Sequence, residues 1–334
     1  MAASLTPSSV LVSGQMRMPV IGLGTWQATP EEIDIALNAA IDAGYRHIDT
    51  AFVYVNETAI GDSLRKIFAS GKVERKDLFI VTKLPSFANR PEYVEVYIKK
   101  SLEALQLDYI DLYLIHNPVG FEHKNGSIFR KNENGEFELD YEVNHIELWK
   151  AMEAQVDAGR AKSIGVSNFN LRQVKRLLEN SRIPPANNQV ELHVYLQQEK
   201  LVSFCRENNV IICAYAPLGS PKLISFTQKL GFSTEGMREI SPMTDPVIVE
   251  IAKKHNKLPS QVLLRYLVQY GVAVIPKSSN PERIKQNIEI FDFELSSEEM
   301  EKIKKLDKGK EGRMFAEKGL FASMKKHPEY PFND

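Results

Sequence analysis

Residues 78–83 (LFIVTK) and 110–116 (IDLYLIH) decide the fold class of this chain of 334 residues. Each segment is a short, nearly continuous apolar run that ends on a basic side chain. Such runs are typical of parallel strands whose two faces are both covered by helices. The two segments therefore predict a parallel α/β architecture with polar side chains at the strand ends.

Six further runs of the same kind lie outward from these two, at residues 20–25, 45–50, 163–168, 188–192, 210–216 and 272–277. Amphipathic helices separate them, and some carry clear start signals, such as the capping box Thr29-Pro30-Glu31-Glu32. Eight strand–helix units without a break in composition predict an α/β fold, a (β/α)8 TIM barrel formed as one domain over residues 1–334. An open, doubly wound sheet is the structural alternative.

Additional segments surround the predicted barrel. Residues 10–20 (VLVSGQMRMPV) predict an N-terminal β-hairpin that turns near Gly14. Three long irregular segments follow, at residues 117–140, 218–245 and 309–334. The first two come directly after strands, so they are predicted on the C-terminal face of the barrel, where active sites of this fold lie. Loops of this length are usually functional, and we expect them to build the walls of a site.

Composition excludes several classes of function. The net charge of −1 gives no electrostatic reason to expect nucleic acid or an anionic membrane as a partner. No stretch approaches the roughly 20 apolar residues that a spanning helix needs, and the N-terminus lacks the features of a secretory signal. Cys205 and Cys213 lie in apolar segments and are expected to be buried free thiols. We therefore expect a cytoplasmic protein.

Four residues at or just after the strand ends suggest proton-transfer chemistry. Asp49, Lys83 and His116 end three successive predicted strands, and Tyr54 follows Asp49 at the entry to a helix. A tyrosine with an ordinary pKa of about 10 is a poor acid at neutral pH, and a nearby lysine ammonium is expected to lower that pKa. A carboxylate would keep the lysine charged, and a histidine would orient the substrate oxygen. This set suits the addition of a proton to an oxygen that gains negative charge, and it does not suit nucleophilic hydrolysis.

Each of these residues alone has a structural explanation that we would otherwise prefer. An aspartate after a strand is commonly a helix cap, and a single lysine or tyrosine commonly lies at the surface or in packing. A lone histidine such as His116 is commonly a hydrogen-bonded core residue. Only their predicted convergence on one rim favours a functional site.

A second signal points to phosphate binding. In Pro276-Lys277-Ser278-Ser279-Asn280-Pro281-Glu282-Arg283, a strand leads through basic and hydroxyl residues into a helix N-terminus, where backbone N–H groups favour anions. The guanidinium of Arg283 adds a bidentate donor. An ordinary capped helix with solvated charges is an equally good explanation. Gly22-Leu23-Gly24 is not a Rossmann fingerprint, because Gln27 occupies the place of its third glycine.

Four segments together resemble the aldo-keto reductase family: residues 44–57, 107–118, 152–170 and 275–287. They occur in the family's order and spacing, so the resemblance covers essentially the whole chain. It implies a barrel that binds NAD(P)H in an extended conformation across its C-terminal rim, without a Rossmann fold and without a metal. It also implies a catalytic tetrad of Asp49, Tyr54, Lys83 and His116, with Tyr54 as the general acid.

The resemblance further implies the residues that bind the cofactor. Those expected at its nicotinamide end are Thr25, Trp26, Asp49, Ser167, Asn168, Gln189 and Tyr215. Leu218 and Ser220 belong to the loop expected over the pyrophosphate. Residues matching the 2′-phosphate site are Lys277, Ser278 and Arg283, which implies NADPH or NADP⁺ as the cofactor. The matches for the adenine contacts are Gln286 and Asn287.

The implied substrate pocket departs from the family pattern at two positions. Its expected residues are Trp26, Val53, Tyr54, His116, Asn117 and Phe121. Asn117 stands where the family often has tryptophan, and Pro85 stands where it often has an aromatic residue. A mouth that is wider or less aromatic than that of small-aldehyde reductases is therefore expected, to which the tail residues Tyr330 and Phe332 could add apolar surface. The substrate expected from this is a bulky apolar carbonyl such as a steroid-like ketone, and the loops resemble those of insect members that reduce ecdysteroids (3-dehydroecdysone reductases).

Two other functions are open at this point. One is a non-catalytic NADPH-binding regulatory or structural protein on the same fold. The other is a metal-dependent barrel hydrolase that uses Asp49, His116 and His193, although Lys83 would oppose a cation there. The family resemblance implies a monomer whose partner is a small-molecule carbonyl.

Overall fold

A computed structural model describes residues 5–123, 132–133, 136–315 and 319–333, and for residues 319–321 it describes the backbone alone. The predicted segments 117–140 and 309–334 therefore lie partly outside the described residues. Residues 218–245 are described in full.

Eight parallel strands form the centre of the molecule, and neighbours in the sheet follow one another along the chain. They are β3 (Leu23–Gly24), β4 (His47–Asp49), β5 (Phe79–Leu84), β6 (Ile110–Ile115), β9 (Ala161–Ser167), β10 (Asn187–Glu191), β11 (Ile211–Tyr215) and β12 (Ala273–Val274). Parallel bridges join Ile21 to Val274 and Gly24 to Lys277, so the first and last strands meet. The sheet is thus a barrel, which confirms the predicted fold and excludes the doubly wound alternative.

Closure of the barrel depends on a close backbone approach at Gly24. Its N–H donates to the carbonyl of Pro276 at 3.1 Å. A Cβ at this position would lie 2.7 Å from the carbonyl oxygen of Ile275. A side chain would push the first and last strands apart, so the glycine is required here.

Helices surround the barrel, and several of them begin at the capping residues that the sequence predicts. They are α1 (Pro30–Ala43), α2 (Glu57–Ala69), α3 (Pro91–Leu105), α4 (His145–Asp157), α5 (Leu171–Asn180), α6 (Glu199–Glu207), α7 (Leu223–Lys229), α8 (Pro246–His255), α9 (Pro259–Gln269), α10 (Pro281–Ile288) and α11 (Ser297–Lys304). Thr29 forms the predicted capping box with Glu32, and Asn280 and Ser296 cap α10 and α11 with their side chains. Across the described residues, no helix is both long and apolar enough to cross a bilayer.

The N-terminal end of the barrel is filled by the predicted hairpin of β1 (Val10–Ser13) and β2 (Met16–Pro19). Met16 and Met18 are buried and pack with inward-facing residues such as Val81 and Leu112. The Sδ of Met18 lies 3.7 Å from Nδ2 of Asn187, the first residue of β10. Because the hairpin covers this end, access to the interior is from the opposite, C-terminal end.

The long segments contain more regular structure than expected. Residues 218–245 include α7 and a short 3₁₀ helix, Pro242–Thr244, so this segment is not irregular throughout. Within 117–140, β7 (Gly120–Phe121) pairs with β8 (Leu139–Asp140) in an antiparallel ribbon. These elements are too short to give a periodic pattern in the sequence. Both cysteines are buried free thiols, as predicted.

Candidate active site

The ends of the barrel strands converge on one cavity of about 580 Å³. Asp49 is the last residue of β4, Ser167 the last of β9 and Tyr215 the last of β11, while His116 directly follows β6. All four line the cavity, together with Tyr54 from the 3₁₀ turn after β4. Lys83 is on β5 and lies behind the lining residues. We call the group Asp49, Tyr54, Lys83, His116 and Gln189 the cavity floor.

Lys83 is the centre of the hydrogen bonds in the cavity floor. Its Nζ donates to Oδ1 of Asp49 at 2.6 Å and to the carbonyl of Thr50 at 2.8 Å, and it lies 3.5 Å from the hydroxyl of Tyr54. The other carboxylate oxygen of Asp49 accepts from Nε2 of Gln189 at 2.7 Å. The side chains of Lys83 and Asp49 are only 0% and 2% exposed. The ammonium is therefore fixed in position, with one of its contacts on the phenol.

The protonation of Tyr54 differs from the sequence expectation. Burial, and second the negative charge of Asp49, hold the pKa of Tyr54 well above the ordinary value for tyrosine. The sequence predicts that Lys83 lowers this pKa, and that prediction is wrong because the hydroxyl is buried and desolvation penalises the phenolate. Tyr54 is consequently a neutral phenol at physiological pH, which is the form that can give up a proton.

His116 faces Tyr54 across the cavity. The two ring centroids are 5.8 Å apart and the ring planes are inclined by 74°. The carbonyl of His116 accepts from Nδ2 of Asn168 at 2.9 Å, which fixes the backbone behind the ring. Burial, together with the positive charge of Lys83, holds the pKa of His116 well below the usual value for histidine. The imidazole is therefore neutral and keeps one N–H to donate.

Amide and hydroxyl groups form a second network beside the floor. The hydroxyl of Ser167 donates to the carbonyl of Gln189 at 2.9 Å, and that of Tyr215 donates to Oδ1 of Asn168 at 2.7 Å. Asn168 adopts a left-handed conformation with φ of 63°, which asparagine tolerates. This network fixes the ring of Tyr215 against the cavity. The amide Nε2 of Gln27, which also lines the cavity, is buried and has no hydrogen-bond partner among the described residues.

The predicted phosphate site lies at the other end of the same cavity. Lys277, Ser278 and Arg283 line it, and the side chain of Asn280 accepts from the backbone N–H of Arg283 at 3.0 Å. Glu32 was not predicted here. Its carboxylate lies 3.8 Å from Nζ of Lys277, and it accepts from the hydroxyl of Ser279 at 3.0 Å.

The cavity as a whole fits an extended dinucleotide. One end offers amide and hydroxyl groups and an aromatic ring, and the other offers cations at a helix N-terminus. Gln27 adds a buried amide donor, Nε2, that lines the same cavity and has no hydrogen-bond partner among the described residues. Thr25, Trp26, Leu218 and Ser220 line the cavity as predicted. Two predicted adenine contacts, Gln286 and Asn287, are on α10 and are not among its lining residues.

The wall of the cavity is more aromatic than expected. The predicted residues Trp26, Val53, Tyr54, His116, Asn117 and Phe121 all line it. Four phenylalanines that the sequence did not reveal join them: Phe87, Phe137, Phe226 and Phe315, which we call the cavity wall. The ring of Trp26 makes edge contacts with Phe226 at 5.0 Å and with Phe315 at 5.7 Å.

Two predictions about individual wall residues were wrong. Pro85 is not a lining residue, while its neighbours Ser86 and Phe87 are. Tyr330 and Phe332 pack with Val119 in a separate cluster and do not line the cavity.

Glu191 is a further residue that sequence reasoning missed. Its side chain is buried at the end of β10, and it accepts from the backbone N–H groups of Met314 at 2.7 Å and Phe315 at 3.0 Å. It also lies 3.2 Å from Nε2 of His193. An acidic residue ending a predicted strand was the available signal. Glu191 fixes the segment that carries Phe315 against Tyr215, whose ring centroid is 5.3 Å from that of Phe315.

The same contacts bear on the hydrolase alternative. The ring of His193 lies next to the carboxylate of Glu191. One carboxylate oxygen of Asp49 accepts a hydrogen bond from Lys83, and the other accepts one from Gln189. In the part of the chain that the structure describes, no group of three or more His, Cys, Asp or Glu residues could hold a metal ion. The three residues proposed as metal ligands therefore have no shared focus.

Comparisons with known proteins agree with this geometry. The model of the aldo/keto reductase family matches residues 20–308. The chain is 42% identical to "Aldo-keto reductase family 1 member A1" of Mus musculus, with 99% of both chains covered, and 42% identical to "Prostaglandin F synthase 1" of Bos taurus, with 95% of both covered. A solved structure, that of the aldose reductase from Schistosoma japonicum, superposes with a TM-score of 0.86 at 40% identity over 99% of both chains. The chain therefore belongs to the aldo/keto reductase family, an oxidoreductase family that acts on carbonyl compounds.

Proposed function

We propose that this protein reduces aldehydes or ketones to alcohols with NADPH, and that Tyr54 protonates the substrate oxygen. The single observation that carries the proposal is the contact of 3.5 Å between the Tyr54 hydroxyl and the buried Lys83 ammonium, beside the cavity. A neutral phenol there can donate a proton, and the cation next to it stabilises the phenolate that remains.

The residues of the cavity floor have different roles in the proposed reaction. Tyr54 and the neutral imidazole of His116 offer two donors to one carbonyl oxygen, which orients the substrate. As the oxygen gains negative charge it becomes a stronger base and takes the proton from Tyr54. Asp49 holds Lys83 in position through the 2.6 Å ion pair, so the compensating charge is already in place. NADPH, when bound, supplies the hydride.

The residues proposed to hold the nicotinamide end are Asp49, Ser167, Asn168, Gln189 and Tyr215. The ring of Tyr215 offers a flat surface for stacking, fixed by its hydrogen bond to Asn168. Asn168, Ser167 and Gln189 offer the amide and hydroxyl groups that suit a carboxamide. The adenine contacts proposed for Gln286 and Asn287 require the cofactor to extend past Arg283 along α10.

Preference for NADPH over NADH is proposed on the basis of Lys277, Ser278 and Arg283. Kinetic assays with both cofactors test it. In Lys277→Met, the KM for NADPH should rise about 10- to 100-fold, because a charge-assisted contact to the 2′-phosphate is lost, and the KM for NADH should change little. Lys285→Met is the matched control, since Lys285 on α10 pairs with Glu289, the residue after that helix, outside the cavity lining. Equal KM values for both cofactors in the unaltered protein would contradict the preference.

The proposed substrate is a bulky, mostly apolar carbonyl, such as a steroid-like (ecdysteroid) ketone. The support is the aromatic wall of the cavity beside Tyr54 and His116, since the cofactor takes up part of the cavity volume. NADPH oxidation should be measured with short polar aldehydes, long aliphatic aldehydes and steroid ketones. Turnover confined to small sugars would contradict the substrate class. NADPH binding without turnover of any carbonyl would support a non-catalytic role instead.

We also propose that the protein acts as a monomer in the cytoplasm. Two buried free cysteines are typical of a reducing compartment. Light scattering of the purified protein tests the monomer.

A further inference from the structure

Val55 combines two unfavourable features at the mouth of the cavity. Its backbone is left-handed, with φ of 58° and ψ of 29°. Its apolar side chain is 68% exposed, and it lines the same cavity as Tyr54. A β-branched residue with positive φ is a genuine outlier, because its Cβ substituents crowd the backbone. Of the eight non-glycine residues that the structure describes with positive φ, Val55 is the β-branched one.

The backbone at Val55 is determined by its neighbours. On one side, the 3₁₀ helix Phe52–Tyr54 ends when the N–H of Val55 donates to the carbonyl of Phe52 at 3.3 Å. On the other side, the buried side chain of Asn56 donates to the carbonyl of Thr25 at 2.9 Å and accepts from the hydroxyl of Thr50 at 3.1 Å. The chain must reverse between these two anchored residues. The left-handed turn is thus imposed on position 55, whichever residue occupies it.

Valine is a poor choice for this position on grounds of folding alone. Glycine or asparagine would adopt the turn with little strain, and either would expose less apolar surface. The exposed side chain gains little burial in the folded protein to offset the strain. The fold requires the left-handed turn but does not require a valine in it, and a strained residue at the rim of a functional cavity indicates a role in function.

We propose that Val55 is a specificity-determining residue, whose side chain contacts the apolar part of a carbonyl substrate where it extends out of the cavity past Tyr54. Binding of such a substrate would bury the exposed apolar surface of Val55. The expected ligand is a carbonyl compound with a long aliphatic chain or fused rings attached to the reacting carbon. The proposal rests on the carbonyl reductase function proposed above.

Val55→Asn tests this role, because asparagine keeps the left-handed turn and replaces the apolar side chain by a polar one. Steady-state kinetics with decanal and with D-glyceraldehyde should be compared. The ratio of kcat/KM for decanal to that for D-glyceraldehyde should fall about tenfold, mainly through a higher KM for decanal. The melting temperature should rise, because strain is relieved.

Two control variants separate the strain from the exposed apolar side chain. Gln106→Gly relieves a left-handed residue at the end of α3, with φ of 57°. Val12→Asn removes an exposed valine from β1, at the opposite end of the barrel. Neither residue lines the cavity, and neither variant should change the ratio between the two aldehydes.

The outcomes distinguish this inference from the proposed function. A ratio within twofold of the unaltered protein, or an equal loss with both aldehydes, overturns the role of Val55. A lower melting temperature of Val55→Asn overturns the strain argument and the inference with it. If none of the tested carbonyl compounds supports NADPH oxidation by the unaltered protein, the proposed function is wrong. The inference about Val55 is then wrong for that reason and not because of the Val55→Asn result.

Discussion

The cavity floor and the cavity wall are built in different ways. Floor residues such as Asp49, Lys83 and Gln189 are on barrel strands, are almost fully buried, and are joined by hydrogen bonds of 2.6 and 2.7 Å. Wall residues such as Phe226 and Phe315 come from the long segments outside the barrel, and each contacts the ring of Trp26 edge-on. The difference suggests that the chemistry is fixed by the sheet, whereas substrate choice can change with the segments.

The largest loss of stability and turnover is expected when a charged residue of the cavity floor is replaced. Lys83→Met should leave the buried carboxylate of Asp49 without its cation, which lowers the free energy of unfolding by about 3–5 kcal/mol. Turnover should fall at least 100-fold, since the stabilising charge next to Tyr54 is lost. Chemical denaturation and kinetics measure both quantities.

Lys66→Met is the control for that variant. Lys66 pairs with Asp34 at 3.2 Å, but the two side chains are 65% and 47% exposed. An exposed pair contributes about 0–1 kcal/mol, so stability and turnover should hardly change. If Lys83→Met and Lys66→Met lowered the free energy of unfolding equally, the buried ion pair of the cavity floor would contribute no more to stability than an exposed ion pair. That result would contradict the account of the floor.

An intermediate loss of stability and substrate affinity is expected when Glu191, which binds the segment carrying the wall residue Phe315, is replaced. Glu191→Gln should turn an amide N–H₂ group towards the N–H donors of Met314 or Phe315. The loss of one or both hydrogen bonds should cost about 1–3 kcal/mol of stability and raise the KM for apolar carbonyls. Thermal melting and kinetics with decanal measure this. Unchanged KM together with unchanged stability would show that Glu191 does not fix the Phe315 segment.

The smallest effect is expected within the wall. Phe315→Ala removes a ring that packs on Trp26 and Tyr215, so the KM for apolar carbonyls should rise about tenfold with little change in kcat. Phe332→Ala is the matched control, because Phe332 packs with Tyr330 outside the cavity lining. If kcat of Phe315→Ala fell as much as that of Lys83→Met, the wall would contribute to the chemical step as well as to substrate binding. That result would contradict the division between wall and floor.

Most of the floor could be predicted from the sequence because Asp49, Lys83 and His116 lie at or next to the ends of successive strands. Once a parallel barrel is inferred, Asp49, Lys83 and His116 must point to the same rim, whatever the connections between the strands. The strand positions themselves followed from apolar runs that need no knowledge of tertiary contacts. The phosphate-site residues Lys277 and Arg283 could be predicted for a similar reason, because they lie in the loop after a strand and in the first turn of the helix that follows.

The wall could not be predicted, because its residues come together only through tertiary folding. Phe137, Phe226 and Phe315 lie in segments without a period that would indicate their direction. Glu32 joins the phosphate end through a contact with Ser279, 247 residues away in the chain. The raised pKa of Tyr54 was missed for a related reason, since burial depends on all the residues around it.

The most direct test of the central claim compares the unaltered protein with Tyr54→Phe, which removes a single hydroxyl from the floor. NADPH affinity is measured by fluorescence titration, and kcat/KM for the best carbonyl of the panel by NADPH oxidation. If Tyr54 is the proton donor, kcat/KM should fall by about 10²- to 10⁴-fold while NADPH affinity stays within twofold. Retention of kcat/KM within tenfold would contradict the assignment of Tyr54 as the general acid.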